Sequence, residues 1–245
     1  MYLFIIFLAV LGIYFIGMGR FAGQLSPSLQ WRHLASFTLG LLAALVVFVP
    51  SPDLFGPEHR FTVSMGQMLF AVDLVPFLLF LGIPSMMLRP FQQWDGLMLN
   101  LAKPQVAGAI GSVILLSWFI PGLFEAASRN LTIWIFKQML FLISGFFFWW
   151  PVASPVSTWK PTYSIQLIYL FVVRLPMTAL GILFTFADRI IYTSRSFSLE
   201  ICAPSSLSDQ QVGGLVIWMV GGLIIFTVFV IVFLRMFETH DILKP

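Results

Sequence analysis

Seven long apolar runs, at residues 2–18, 34–49, 61–83, 106–124, 131–150, 164–186 and 212–234, alternate with short segments that hold nearly all of the charge. A helix crossing the roughly 30 Å hydrocarbon core needs about 20 apolar residues. In lipid every backbone N–H and C=O must be paired internally, so each run predicts a transmembrane α-helix. The expected fold is an all-α, polytopic seven-helix bundle forming one domain over residues 1–245. Prolines punctuate the pattern: Pro50 and Pro52 close the second run, Pro151 and Pro155 follow the Trp149-Trp150 belt of the fifth, and Pro176 predicts a kink inside the sixth. Between the third and fourth runs, Phe91 and Trp94 sit among Arg89, Asp95 and Lys103, which predicts an amphipathic piece lying at the interface.

The third run is the one with polar groups along its first half. Ser64, Gln67, Met68 and Ala71 fall at i, i+3, i+4 and i+7 and share a helical face, while Asp73 points roughly 180° away at about 100° per residue. Composition agrees with the membrane reading. At 59% hydrophobic, 9% charged and a mean hydropathy of +0.96, the chain has too little charge to cover a soluble globule. The net charge of +3 is spread over loops with no Lys/Arg run, which argues against a nucleic-acid partner and leaves membrane lipid as the general one.

Basic residues orient the chain. With the N-terminus outside, inner segments hold Arg20, Arg32, Arg89, Lys103, Lys160, Arg235 and Lys244, against Arg60, Arg129, Arg189 and Arg195 outside. That bias predicts an outside N-terminus and a cytoplasmic C-terminus. Cys202 is the only cysteine, which excludes an internal disulfide. Its place between the sixth and seventh runs predicts labelling from outside by a membrane-impermeant thiol reagent.

In that orientation Ser64 to Met68, Lys137 with Gln138, and Asp209, Gln210 and Gln211 lie at one depth on three helices. Such groups face a bundle interior, a partner or water; the plainer alternative is hydrogen bonding that holds the helices together. Lys137 is expected to snorkel outward. Asp73 and Arg174, deep in the third and sixth runs at matching depth, predict an ion pair.

Three stretches carry a family resemblance: the third run with its closing Gly82-Ile83-Pro84, FLISGFFFWWPV at 141–152, and DQQVGGLVIW at 209–218. From about Ser36 to the end of the seventh run the chain resembles the CtaG-type cytochrome c oxidase assembly factors, seven-span proteins thought to help supply copper to haem-copper oxidases. The resemblance implies a His-Met-x-Gln-His motif where this chain reads Ser64-Met65-Gly66-Gln67-Met68, and a Glu-His pair where it reads Lys137-Gln138. Imidazoles at i and i+4 suit a borderline metal ion, and a lysine in their midst repels one. The copper site is therefore expected to be dismantled, with Met65 and Met68 as the remaining weak thioether candidates.

His33, His59 and His240 lie in loops or the tail on both sides and do not converge. No Ser/His/Asp set, phosphate-binding glycine loop or carboxylate pair suggests catalysis, so no enzyme and no resident cofactor are expected. The leading expectation is a non-catalytic accessory or assembly subunit of a haem-copper oxidase or larger respiratory complex, in the bacterial inner membrane. Active copper delivery through non-histidine ligands is the alternative. A small-solute or ion transporter using Asp73 and Arg174 is another.

Overall fold

The computed structural model describes residues 2–21, 24, 26–88, 95–192, 202 and 204–242, and its described secondary structure is helical throughout. Five helices are long and apolar enough to cross a membrane: α2 (Pro27–Val47), α3 (Pro57–Gly82), α6 (Leu131–Ala153), α7 (Tyr163–Thr185) and α8 (Leu207–Glu238). A sixth crossing is available if the bent pair α4 (Pro104–Ser117) and α5 (Pro121–Arg129) counts as one. The first run forms α1 (Tyr2–Phe21), 20 residues long. Arg89, Phe91, Trp94 and Arg195 lie outside the described residues.

α3 is the hub. It packs against α2, α6 and the first half of α8, while α4 packs on α6 and α7 on α8. Of its most apolar window 56% is buried, against 22–39% for the other four spans, so α3 is the most enclosed of the five. α1 is peripheral. It touches the bundle through Tyr14, whose ring stacks on Phe37 at 3.7 Å and whose hydroxyl donates to the Gly82 carbonyl at 2.7 Å.

Three boundaries differ from the hydropathy pattern. The run 106–124 is not one straight span: α4 ends at Ser117, Ile120 is extended (φ −66°, ψ 128°) before Pro121, and α5 leaves at 64°. A residue preceding proline is pushed out of the α region, and here that breaks the helix. α8 begins at Leu207 and not at 212, capped by Ser206, whose hydroxyl accepts from the Asp209 N–H. α6 runs through Pro151 to Ala153.

α3 and α8 each contain one wide turn, at Phe70–Leu74 and Val216–Val220, where hydrogen bonds step back five residues. In α3 the cause is legible locally. Pro76 has no N–H to offer the Val72 carbonyl four residues earlier. The Trp149 indole N–H of α6 donates to that carbonyl instead, at 3.0 Å. α6 comes this close because residue 145 is glycine; a Cβ there would lie 2.5 Å from the Val72 oxygen.

Candidate functional site

The polar residues that the sequence places at one end of the spans are buried, Gln211 only partly, but they do not converge on one centre. Each group meets a different unsatisfied stretch of backbone.

The first group closes the end of α2. The last carbonyls of a helix have no partner within it. The Gln67 amide of α3 donates to the carbonyls of Val46 (2.9 Å) and Val49, and the Gln138 amide of α6 donates to that of Val47 (2.7 Å). Two glutamines from different helices thus fasten α2 to α3 and α6. On the face that Gln67 shares, Ser64, Met68 and Ala71 are buried as their spacing predicts, with Met65 beside them. The Ser64 hydroxyl and the Gln138 Oε1 have no hydrogen-bond partner.

The second group belongs to Asp209. Its carboxylate accepts from the backbone N–H groups of Phe61, Thr62 and Ser205, each at 3.0 Å, and its own carbonyl accepts from the Thr62 hydroxyl. An anion at the first free N–H groups of a helix is favourable for both charge and hydrogen bonding. Gln210 accepts from the Ile191 N–H (2.7 Å) and donates to the Arg189 carbonyl, and Gln211 donates to the carbonyl of Ala187. The three residues tie α8 to the start of α3 and to the chain leaving α7. Along that chain the Tyr192 hydroxyl donates to the Phe119 carbonyl at the α4–α5 break, and burial pushes its phenol well above the ordinary range.

The third group corrects two expectations. Lys137 does not snorkel: it is 2% exposed, its Nζ lies 3.5 Å from the Cys202 sulfur, and the Phe124 and Phe141 rings flank it at 5.9 and 5.6 Å. Cys202 is not an accessible loop thiol either. It is fully buried and lies 3.2 Å from the Ser128 hydroxyl. Cys202 itself lies against α5, which supplies Ser128.

Halfway down the membrane, the expected ion pair is present. Arg174 Nη1 of α7 lies 3.4 Å from Asp73 Oδ2 of α3, and Nη2 donates to the Ile217 carbonyl. Ile217 sits in the wide turn of α8, where the Gly221 N–H reaches back to Val216 and leaves the Ile217 oxygen open. Both carbonyls freed by the wide turns are therefore taken by side chains of other helices, Val72 by Trp149 and Ile217 by Arg174. The guanidinium lies directly on Gly221, where any Cβ would collide with it. An enclosed cavity of about 20 Å³, lined in part by Met68, Asp73, Arg174 and Met177, adjoins the pair and has room for a water molecule.

Among the described residues no three His, Cys, Asp or Glu side chains gather closely enough to share a metal ion. Cys202, Ser128, Trp149 and Thr62 are the participants that hydropathy does not mark. Only Trp149 left a signal, through Pro76 standing four residues after Val72.

A family model described as cytochrome c oxidase caa3 assembly factor matches residues 12–239. No curated protein and no solved structure matches the chain.

Proposed function

The chain belongs to the cytochrome c oxidase caa3 assembly factor family, and from that premise we propose that it serves as a non-catalytic accessory or assembly subunit held against the oxidase by its helical surfaces. The observation that carries this reading is the fate of the polar residues. Gln67, Gln138, Asp209, Gln210 and Gln211 hold backbone groups at helix ends, which is a scaffold's use of polarity. The donor set does not fit a copper ion. Ser64 and Met68 occupy the positions where the resemblance implies histidines, and a buried ammonium lies 3.5 Å from the one thiol. Asp73 and Arg174 bond each other and a helix carbonyl, which favours a structural pair over a transport path.

In this reading the chain crosses a bacterial inner membrane seven times, α1 and the bent α4–α5 pair included, with its N-terminus outside. The second reading, copper delivery through thioethers, draws on Met65 and Met68, both buried on the same stretch of α3. Affinity purification at native expression in mild detergent separates the two. The subunit reading expects oxidase core subunits in near-stoichiometric amounts through size exclusion, and no copper above background. Migration alone refutes it, and one equivalent of copper lost in the Met65→Ala, Met68→Ala double variant replaces it with the delivery reading.

A further inference from the structure

Arg174 is the central residue of α7, eleven residues from Tyr163 and from Thr185, or about 16 Å from either end. Besides the enclosed cavity, it lines a groove of about 410 Å³ that opens between α7 and α8. Leu170, Arg174 and Ile225 line both spaces, so the Arg174 side chain forms part of the partition between them. The groove is walled by Phe171, Phe226 and Phe229, with Gly222 in its lining. Phe171 and Phe226 are more than 60% exposed, so this mouth faces the hydrocarbon.

The guanidinium has five N–H donors. Asp73 and Ile217 take one each and Nε is enclosed without a partner, which leaves one N–H on each Nη nitrogen for an occupant. An occupant that satisfies this site must be apolar, must carry a hydrogen-bond acceptor, and must bring that acceptor to the middle of the bilayer. A phospholipid fails the last condition, because its phosphate stays at the surface. A carboxylate fails on charge, because Asp73 already balances Arg174 and a second anion in hydrocarbon would be left without a partner. A plain acyl chain brings no acceptor. A flat ring with carbonyl oxygens and an apolar tail meets all three conditions, and the phenylalanine walls suit its faces. The volume is that of a small-molecule site.

We propose that the groove between α7 and α8 binds a lipid-soluble quinone, with one carbonyl on the Arg174 guanidinium. The site does not depend on the oxidase assignment above. It is tested by titrating the full-length protein in lipid nanodiscs with decyl-benzoquinone and, separately, with decylbenzene, counting binding in excess of empty discs. The expected result is saturable binding of one quinone per chain and no saturable binding of decylbenzene. Gly222→Phe fills the groove into open space, since a Cβ at 222 meets nothing within 4 Å, and should weaken binding at least tenfold while leaving the melting temperature nearly unchanged. Asp73→Asn with Arg174→Met, which removes the donor without leaving a charge, should also weaken binding at least tenfold, at a cost in stability that Gly222→Phe does not carry. Leu223→Phe, 66% exposed and outside the groove lining, should leave binding as it is. Absence of saturable quinone binding, equal binding of decylbenzene, or full affinity in Gly222→Phe overturns the proposal; the second outcome makes the groove an acyl-chain seat only.

Discussion

The ion pair between Asp73 and Arg174 should show its energy in a double-mutant cycle, because Asp73 is buried, Arg174 nearly so, and the second contact of Arg174, to the Ile217 carbonyl, is separable. Asp73→Asn removes the charge but keeps an acceptor, leaving an uncompensated guanidinium at mid-bilayer. An arginine there costs about 2.5–3.5 kcal/mol on insertion scales, and the surviving hydrogen bonds lower the expected loss to roughly 2 kcal/mol. Arg174→Gln also gives up the Ile217 carbonyl and the packing on Gly221, so its loss should be larger, about 3–4 kcal/mol. The N···O separation of 3.4 Å exceeds the about 2.8 Å of a tight charge-assisted bond. Coupling should therefore be moderate, about 1–2 kcal/mol, near the upper end seen for interhelical bonds in membranes. Reversible unfolding in mixed micelles with increasing dodecyl sulfate, followed by tryptophan fluorescence, gives the four stabilities of the cycle. If the losses add to within about 0.5 kcal/mol, the two side chains do not act on each other, and the rotation of α3 is set by packing alone.

Two further outcomes follow from the wide turn of α3 and from the buried thiol. Trp149→Phe should cost about 1–3 kcal/mol by orphaning the Val72 carbonyl, and measurably less in a Pro76→Ala background, where an N–H becomes available; equal cost in both backgrounds, read in the same micelle assay, would refute the exchange of donors. A membrane-impermeant maleimide should leave Cys202 unmodified in intact cells and in folded detergent-solubilised protein, yet modify it fully after unfolding in dodecyl sulfate; rapid labelling of the folded protein would contradict the burial against Ser128 and Lys137.

What hydropathy could see was whatever is repeated along one helix. The face holding Ser64, Gln67, Met68 and Ala71 is buried as its spacing implies, and residue counting alone placed Asp73 and Arg174 at one depth. Averaging over a window hides single-residue breaks, so the Ile120-Pro121 bend passed as the interior of a span. It also misassigns polar first turns. Asp209, Gln210 and Gln211 fall just before the apolar run 212–234, whereas their side chains bond α3 and the chain after α7 from within the first turns of α8. Burial of Cys202 and Lys137 was out of reach for another reason: it depends on contacts between residues 65 and 74 positions apart, Lys137 and Ser128 with Cys202, and nothing in local composition specifies them.

The same contrast explains why one depth did not mean one site. Equal depth follows from rise per residue, but convergence requires that the backbone leave a space for side chains to share. Here each helix end presents its own backbone groups, the carbonyls of Val47 and, just past α2, Val49, and the N–H groups of Phe61 and Thr62 on α3. A polar side chain in hydrocarbon is drawn to the nearest such group, since leaving either one unpaired costs several kcal/mol. Two glutamines and an aspartate are thereby committed to backbone before any ligand could claim them. Ser64 is the exception, a buried hydroxyl with no partner, and it stands in the same motif as the two methionines. An imidazole at Ser64 alone would therefore not build a metal site, because Gln67 and Gln138 stay committed to the carbonyls at the end of α2.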